Sequence, residues 1–542
     1  MRQTFPSAIA LVALSLLVFM AWMHPSVLDP GNVGWLLRGS DRGQAMIGLT
    51  AYLREGGPWP ITHTPLLGAP DGTALLLTDS IPLLGIALKP FAGILPDQWQ
   101  YVGPWFLLCL LLQVTFAWKL IRPHAPDALS AWLGTALLTA LPVLINRWVH
   151  ASLSSQWLIL WALWLFLDRD RPRRPLWWAL LLAVTALIHN YLLLMVAGIW
   201  ASAVLRDFIQ GPGRLRTAIV AAATMAMVVV SVATLGVFDL QFSSTGSYGA
   251  FPMAVDAWWN PANPSYTALL PSTPIDEGRG FEGLQYLGAG MLALVVLAIG
   301  RLVTAEGRAT LPEPIAEMRW LLPAFAVLLL LAIGPQPLWR GDPLTTVMLP
   351  RAVTDLLDPI RAAGRLAWPV TYALALSAVL IACRMPRATL ILGGALALQV
   401  IDLTPMFAAI RATTAPADER RIYVRTPDPR WKALVANAGS IDFEPPRVRA
   451  DLPLMHEVTL RAILACRPVN FTYTARETPA AFARLATARA SYLRGEIDPR
   501  RLYVLLGDRI PAALASRVRM LDGVAIIPAS LASPPPACGK GR

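Results

Sequence analysis

Two carboxylates in the first part of the chain are placed where a general base could act. Asp41 lies early in a long polar stretch, and Asp79 lies between a threonine and a serine. An aspartate beside a bound hydroxyl group can take its proton, so each is a candidate catalytic residue. Simpler roles remain open, because Asp41 would equally suit a solvated loop and Asp79 could cap the helix that Pro82 begins.

Three arginines are candidates for binding a phosphate. Arg361 and Arg365 are four residues apart and would share a helical face if their helix begins early. Guanidinium groups and the free N–H groups of a helix N-terminus both suit a phosphate. Arg147 follows an apolar segment and is the third candidate, although its side chain could instead extend to a membrane interface.

Further polar residues interrupt or flank apolar segments and are candidates for binding the substrate. Polar groups at membrane depth are costly and usually face a cavity. His150 could also be an ordinary interfacial histidine, and Glu282 a solvated residue at the rim. The candidates are His150, His189, Asn190, Tyr191 and Glu282.

These residue types together indicate displacement of a phosphate leaving group at a sugar carbon of a lipid-phosphate substrate. Asp41 would accept the proton of the incoming hydroxyl, and the arginines would neutralise charge on the departing phosphate. His150 or His189 would position the donor or help to hold a metal. A single direct displacement would invert the anomeric centre.

The composition indicates the environment in which these residues act. The chain has 542 residues, of which 55% are hydrophobic and 15% charged, whereas soluble domains carry about 25% charged residues. Its mean hydropathy is +0.51. We therefore expect an integral membrane protein. The net charge is +12, and most of it lies from Arg411 to the end. Such a basic tail would suit an anionic membrane surface or a phosphorylated ligand, and no nucleic-acid-binding motif accompanies the charge.

Apolar runs predict most of the membrane spans directly. They cover residues 5–24, 101–121, 127–145, 152–168, 216–238, 284–301, 319–334, 364–383 and 387–408. The first run resembles a signal sequence without a cleavage site and is interpreted as an uncleaved anchor.

For two further regions, helix length and flanking charge determine how the chain is expected to cross the membrane. Residues 175–205 would be roughly 46 Å long as one helix, too long for a ~30 Å hydrocarbon core, so we expect two helices with a tip at His189-Asn190. Residues 80–95 contain two prolines and a lysine and are interpreted as an interfacial or re-entrant helix within a long outer loop from 25 to 100.

This interpretation gives eleven spans, with the N-terminus in the cytoplasm and the C-terminal domain outside. Positive residues in short loops favour the cytoplasmic side. The five short inner loops are basic or mixed, and they are Arg122–Asp127, Asp168–Arg174, Arg206–Arg216, Arg301–Arg319 and Arg384–Arg387. We therefore expect a multi-pass protein of a bacterial inner membrane.

Residues 409–542 contain no spanning segment and are predicted to form a small extracytoplasmic α/β domain, beside a transmembrane module of residues 1–408. Short strands are expected at Arg421–Arg425, Tyr503–Gly507 and Val524–Pro528, and a helix at Ala480–Arg494. The residues from Ser533 to Arg542 are expected to fray.

The four cysteines divide into two kinds. Cys109 and Cys383 lie in apolar runs and are interpreted as packing residues. Cys466 and Cys538 lie in the C-terminal region, where a disulfide and two separate thiols are equally open.

The layout of an anchor, a long outer loop with an early aspartate, a multi-span core and an outer C-terminal domain resembles the GT-C superfamily. Five motifs are similar, more narrowly, to a bacterial membrane family of unknown function placed near GT-C. They are Leu77-Thr78-Asp79-Ser80-Ile81-Pro82-Leu83, Arg147-x-x-His150-x-x-Leu153, Ser155-Gln156-Trp157-Leu158-Ile159-Leu160, Glu282-Gly283-Leu284-Gln285-Tyr286-Leu287-Gly288 and Gly364-Arg365-Leu366-Ala367-Trp368-Pro369-Val370-Thr371-Tyr372.

The resemblance covers most of residues 1–410 and implies a glycosyltransferase that uses a polyprenyl-phosphate-linked sugar. It would assign the role of the first-loop acid to Asp41. Many GT-C enzymes carry an adjacent acidic pair there, whereas Asp41 is flanked by Ser40 and Arg42. A divalent metal, Mg²⁺ or Mn²⁺, therefore stays open as a cofactor, with Asp79 as a second carboxylate if the loop folds back.

The leading hypothesis is transfer of that sugar to an envelope glycan, lipid or protein on the outer membrane face. Two alternatives stay open: a transporter or flippase of lipid-linked glycans, and a non-catalytic envelope assembly factor. A transporter would need polar residues along a path to both leaflets, whereas the candidates gather at one side.

Overall fold

A computed structural model describes residues 8–39, 41–55, 60–168, 174–239, 247–446, 451–474, 478–507 and 509–534. The chain is mostly helical, with a small sheet in its C-terminal region. Most of the inner loop predicted at Asp168–Arg174, the residues after Pro534 and the start of the expected anchor lie outside the described residues.

Several helices are apolar enough to indicate a membrane protein. Among the described residues, five are also long enough to span a membrane: Val102–Ile121, Asn190–Gln210, Arg214–Thr234, Glu313–Ile333 and Ala363–Ala382. Two bent pairs bring the number to seven if each pair is one span: Ala128–Thr139 with Pro142–Val149, bent by 47°, and Ala388–Asp402 with Thr404–Glu419, bent by 51°. Each second helix has a proline in its first turn, where the missing N–H favours a break.

The predicted eleven spans all contain an apolar helix, but four of these helices are short. A helix of 15 residues, such as Ala289–Val303, extends about 22 Å and does not by itself cross a ~30 Å core. The number of spans and their orientation therefore stay predictions. The four short helices are Ala8–Trp22, Ser152–Leu167, Arg174–Ala186 and Ala289–Val303, and Pro82–Phe91 is a further short apolar helix outside the predicted spans.

Residues 175–205 form two helices, as predicted. The first ends at Ala186 and the second begins at Asn190. His189 caps the second helix, since its Nδ1 atom accepts a hydrogen bond from the N–H of Tyr191 at 3.0 Å. The N–H of Leu83 donates to the carbonyl of Leu187 at 2.8 Å, so the short Pro82–Phe91 helix packs against this break.

The remaining helices are short or lie in the polar regions. They are Pro25–Leu28, Gly34–Leu37, Asp41–Arg54, Leu75–Thr78, Val237–Asp239, Pro264–Tyr266, Glu277–Glu282, Ala305–Ala309, Arg351–Leu357, Arg430–Asn437, Leu452–Leu464, Pro479–Leu493 and Ala512–Arg517.

The described residues contain eight short strands, and the first four form two hairpins. These pair β1 (His63–Thr64) with β2 (Thr73–Ala74) and β3 (Leu338–Trp339) with β4 (Asp342–Pro343). The C-terminal sheet contains β5 (Ser440–Glu444), β6 (Arg501–Leu505), β7 (Arg519–Leu521) and β8 (Val524–Ile527) in the order β5-β6-β8-β7. β5 and β6 are parallel, and the other pairs are antiparallel.

The C-terminal predictions are partly right. The helix is Pro479–Leu493, and β6 and β8 overlap the predicted strands. The strand predicted at Arg421–Arg425 is wrong. The N–H groups of Val424 and Arg425 donate to the carboxylate of Glu457 at 2.8 and 2.9 Å, which replaces the ladder bonds of a strand.

The core is shared between the apolar helices and the C-terminal sheet. Trp368 and Phe443, one from each region, are both fully buried in a single hydrophobic cluster. Cys109 and Cys383 are free and buried, and Cys466 is disulfide-bonded. Cys538 lies outside the described residues.

Candidate functional site

Asp41 and His150 form the centre of the site. Asp41 is the first residue of the Asp41–Arg54 helix, where a negative charge is favourable for the helix dipole. His150 follows the turn Asn146–Val149, and its Nε2 atom lies 3.0 Å from Oδ2 of Asp41. The side chains are 7% and 14% exposed for His150 and Asp41, respectively. Burial alone would raise the pKa of Asp41, but His150 and the Tyr473 hydroxyl hold it below its usual range.

Asp79 reaches the same place through a tight turn. It has a left-handed backbone, with φ of 53°, and ends the helical turn Leu75–Thr78. The Ser80 hydroxyl donates to the carbonyl of Ala45 at 2.7 Å, which ties the turn to the Asp41–Arg54 helix. A Cβ atom at Gly48 would lie 2.0 Å from Oγ1 of Thr78, so glycine permits this close packing. The following helix is capped by Ile81 without a side-chain bond among the described residues, so Asp79 is not its cap.

The three groups could hold a metal ion. One ligand atom each from Asp41, Asp79 and His150 lies within 4.8 Å of the others. Two carboxylates and an imidazole form a donor set that suits Mn²⁺, and the carboxylates suit Mg²⁺. The donors therefore fit the divalent metal that the sequence left open.

A second cluster binds two arginines through one carboxylate. Glu282 accepts hydrogen bonds from Nη1 of Arg147 at 2.7 Å and from Nε and Nη2 of Arg365 at 2.7 and 2.6 Å. Arg147 is fully buried, also donates to the carbonyl of Phe281, and lies over the rings of Phe281 and Trp368. Burial would raise the pKa of Glu282, but the two guanidinium groups hold it well below its usual range.

Two glycines allow the backbones that carry Glu282 and Arg365 to meet. Gly283 follows Glu282, and Gly364 precedes Arg365. A Cβ atom at Gly364 would lie 2.7 Å from Cα of Gly283, closer than real Cβ contacts come. The pair therefore depends on glycine at this crossing.

The two clusters lie side by side, since the centres of the His150 and Phe281 rings are 5.8 Å apart and the Phe281 carbonyl accepts a hydrogen bond from Arg147. Burial raises the pKa of Asp79 to about 6, and the charges that act on it come from both clusters. His150 and Arg365 lower this pKa, whereas Asp41 and Glu282 raise it. At neutral pH the three carboxylates outnumber the two buried guanidinium groups by one. The buried Arg42, which also acts on Asp41, balances this difference, so a divalent cation would leave a net positive site.

The hairpin tip joins this site through Tyr191. The Tyr191 hydroxyl accepts a hydrogen bond from the N–H of Ala362 at 2.9 Å, and the Arg365 guanidinium lies 5.2 Å from the centre of the Tyr191 ring. His189 packs its ring 5.7 Å from that of Tyr191 and caps the helix that Asn190 begins. The tip therefore lies beside Arg365.

Arg361 occupies a different place from Arg365. The helical turn begins at Ala363, so the two arginines do not share a helical face as expected. Arg361 is exposed, with its guanidinium 5.6 Å from the centre of the Phe251 ring, whereas Arg365 is buried.

Two residues of the site were not identified from the sequence. Tyr473, hundreds of residues away in sequence, helps to hold the pKa of Asp41 below its usual range, and no local pattern marks it. Gln285 donates to the carbonyl of Gly364 at 2.9 Å and accepts from Thr371 at 2.6 Å, so it braces the backbone beside Arg365. Its place three residues after Glu282, within the motif that runs from Glu282 to Gly288, was the available signal.

Comparison with known families places the chain in one of them. The profile described as "Domain of unknown function (DUF6311)" matches residues 12–404, well over half of the chain. The chain belongs to this family. A second profile, the DUF6311 C-terminal domain, matches residues 430–529.

Other comparisons are distant. No curated protein matches the chain. Among solved structures, it is similar to an archaeal oligosaccharyltransferase, AglB from Archaeoglobus fulgidus, in complex with an inhibitory peptide and a dolichol-phosphate. The identity is 12% and the TM-score 0.40, over 92% of this chain and 69% of the other. At this level of similarity, function has to be argued from the residues of the site.

Proposed function

We propose that the chain is a membrane glycosyltransferase that transfers a sugar from a polyprenyl-phosphate-linked donor to a cell-envelope acceptor. The proposal rests on the contact between a cluster with two carboxylates and a histidine and a cluster with two arginines. Asp41, Asp79 and His150 supply a base and metal ligands, and the adjacent Arg147 and Arg365 supply buried positive charge. Sugar transfer from a phosphate requires both functions close together.

In the proposed reaction, Asp41 accepts the proton of the acceptor hydroxyl as its oxygen bonds to the anomeric carbon. The bond between that carbon and the donor phosphate oxygen breaks, and the electron pair leaves with the phosphate. His150 holds the Asp41 carboxylate in place through its 3.0 Å contact. One displacement of this kind inverts the anomeric centre.

The arginine cluster stabilises the leaving group in this proposal. Two guanidinium groups share the single carboxylate of Glu282, which leaves one net positive charge in a buried place. Buried positive charge acts strongly on a developing phosphate, since little water screens it. Arg361, exposed near Tyr191 and Tyr473, is the arginine that a lipid phosphate would meet first.

A divalent metal fits the other cluster. Asp41, Asp79 and His150 would hold it, and it would supply positive charge to the donor phosphate when bound. We propose Mg²⁺ or Mn²⁺, since carboxylate donors predominate.

The proposal also includes the placement in the membrane. We propose a GT-C-like module of residues 1–408 with about eleven spans, and an outer domain of residues 409–542. The site would then open at the outer face of a bacterial inner membrane, where lipid-linked sugars and envelope acceptors meet.

The test is transfer of a labelled sugar from polyprenyl phosphate donors by the purified full chain. Asp41→Asn is expected to reduce transfer by roughly 10²- to 10⁴-fold, the usual contribution of a general base. Asp97→Asn is the matched control. Asp97 is exposed and pairs with Arg54 at the opposite end of the same helix, so full activity is expected there.

The outcomes separate the alternatives. Wild-type activity in Asp41→Asn would remove Asp41 as the base. An assembly factor would instead tolerate Asp41→Asn and Arg365→Ala in cells, while deletion of residues 409–542 would abolish its phenotype.

A further inference from the structure

Arg42 is a buried cation next to the candidate base. It follows Asp41 in the first turn of the Asp41–Arg54 helix and is 4% exposed. Its guanidinium lies 5.1 Å from the centre of the Trp35 ring and 4.5 Å from that of the Trp148 ring. The faces of aromatic rings attract a cation but carry no net negative charge, so the two rings hold the guanidinium without neutralising it.

The surrounding backbone makes room for this guanidinium. A Cβ atom at Gly39 would lie 2.8 Å from Cζ of Arg42, closer than real Cβ contacts come, so glycine permits the packing. Trp148 belongs to the turn Asn146–Val149, which leads into His150, and its side chain is half-buried. The guanidinium therefore lies between the segments that carry the base and the histidine, close beneath the surface.

Arg42 lacks the carboxylate partner that the other two buried arginines have. Among the described residues it forms no ion pair, whereas Glu282 pairs with both Arg147 and Arg365. Within the same part of the chain, its Nε and Nη1 atoms are buried without a hydrogen-bond partner. Burial lowers the pKa of Arg42 to about 10, and Asp41 raises it. A buried, charged donor without an acceptor is costly unless a ligand supplies the acceptor.

Asp41 cannot balance the charge of Arg42 throughout the proposed reaction. In that reaction the Asp41 carboxylate holds a metal and accepts a proton, and each of these uses its negative charge. The planar N–H donors of a guanidinium match the oxygens of a phosphate, which carry negative charge and accept several hydrogen bonds. A phosphate beside Arg42 would therefore satisfy both the buried nitrogens and the buried charge.

We infer that Arg42 binds a phosphate oxygen of the lipid-linked donor, as a binding residue in addition to Arg147 and Arg365. The ligand is a phosphate ester on a long polyprenyl chain. The inference rests on the proposed function for the identity of this donor, whereas phosphate binding can be measured without sugar transfer.

The binding test titrates polyprenyl phosphate, without a sugar, into the purified full chain in detergent with Mg²⁺, followed by calorimetry. Arg42→Met removes the charge and leaves an unbranched, flexible side chain between the two rings. We expect Kd to rise roughly 10- to 100-fold, the contribution of a hydrogen bond to a charged group. An unchanged Kd would overturn the inference.

Arg54→Met is the matched control, because Arg54 ends the same helix and pairs with the exposed Asp97. Its Kd should equal that of the wild type. Thermal unfolding shows whether each variant is folded. Where Arg42→Met does not fold, Arg42→Lys decides, since lysine keeps the charge but lacks the planar fork that stacks on Trp35 and Trp148. Roughly tenfold weaker binding is expected there, and unchanged binding would contradict the role of Arg42.

Mn²⁺ affinity, measured by electron paramagnetic resonance, separates phosphate binding from a purely structural role. Removal of a positive charge beside the proposed metal ligands should leave Mn²⁺ affinity equal or higher. If Arg42→Met weakens the binding of both Mn²⁺ and polyprenyl phosphate, Arg42 only positions Asp41 and the inference is wrong. If the wild-type chain binds no Mn²⁺, the Kd for polyprenyl phosphate alone decides.

Competition distinguishes the donor from other sources of phosphate. Inorganic phosphate and phosphatidylglycerol share the phosphate chemistry but lack the polyprenyl chain. Binding of polyprenyl phosphate that depends on Arg42 and survives an equal concentration of either supports the inference. Displacement by either one at that concentration would assign Arg42 to a free phosphate or to a lipid headgroup, against the inference.

The two proposals fail separately. If the wild-type chain binds polyprenyl phosphate through Arg42 but transfers no sugar, the proposed function fails and the inference stands. In an active chain, Arg42→Met should raise KM for the donor with kcat near wild type, the signature of lost substrate binding. Sugar transfer with unchanged KM in that variant leaves the proposed function and removes the inference.

Discussion

Glu282 binds Arg365 through both carboxylate oxygens, at 2.6 and 2.7 Å, with side-chain exposures of 13% and 10%. The same carboxylate accepts a hydrogen bond from the fully buried Arg147. The sequence predicts a phosphate ligand for both arginines, yet the fold gives them a carboxylate partner. This partner lets two like charges stay adjacent away from water.

Loss of that carboxylate should destabilise the fold. Glu282→Gln removes the carboxylate that both buried guanidinium groups contact, and we expect a loss of about 3–5 kcal/mol in the free energy of unfolding. Thermal unfolding in detergent, followed by tryptophan fluorescence, measures it. Glu306→Gln is the control, since that pair with Arg301 is exposed and should show no measurable change. Equal stability of both variants would contradict the role of Glu282.

The close contact between Gly364 and Gly283 leads to a separate prediction. Gly364→Ala would press a Cβ atom to 2.7 Å from Gly283, and overpacking of this kind costs about 1–3 kcal/mol. We expect a lower Tm and weaker sugar transfer. In Gly394→Ala, the described residues place no heavy atom within 4 Å of the new Cβ, other than the helix's own backbone. That variant should keep its activity and gain slightly in stability.

Asp79 should make stability depend on pH and metal. Its pKa of about 6 is raised above the usual value of 3.8, so ionisation disfavours the folded state. The penalty is absent below about pH 4, grows as the pH rises to about 6, and reaches at most roughly 3 kcal/mol. Without metal, Asp79→Asn should therefore exceed the wild-type Tm at pH 7.5 and match it at pH 4.

Bound metal should reverse the order of the wild-type and Asp79→Asn melting temperatures. Bound Mn²⁺ favours the ionised carboxylate, so it should raise the wild-type Tm more than that of Asp79→Asn. The measurement is a thermal scan with and without Mn²⁺ at pH 7.5. The same Mn²⁺-induced shift in both proteins would contradict a metal role for Asp79.

Because His456 is buried, we expect the fold to lose stability in mild acid. Burial lowers the pKa of His456 to about 4, while Asp41 raises it and Arg42 lowers it. The folded state therefore binds the proton at a lower pH than the unfolded state does. Stability is complete above about pH 6.5 and falls as the pH drops toward 4, by at most roughly 3 kcal/mol. His456→Asn should flatten this part of the pH profile. His63→Gln, at a partly exposed position, should leave it as in wild type.

The sequence by itself determined the elements and several site residues. Apolar runs and flanking charge located the helices, including the break before Asn190, because helix length and the cost of buried polar groups are local properties. Asp79 was selected as a second carboxylate only on condition that its loop folds back. The turn that ends at Asp79 and packs on Gly48 meets that condition.

Only the tertiary structure decided which residues the side chains of the site contact. Glu282 was identified as polar, but its bonds to Arg147 and Arg365 join three segments distant in sequence. Tyr473 has no local signal, because its effect on the pKa of Asp41 depends on how the C-terminal region packs against the Asp41–Arg54 helix. Local preferences predict helices and turns, whereas a hydrogen bond between distant residues depends on how the whole chain packs.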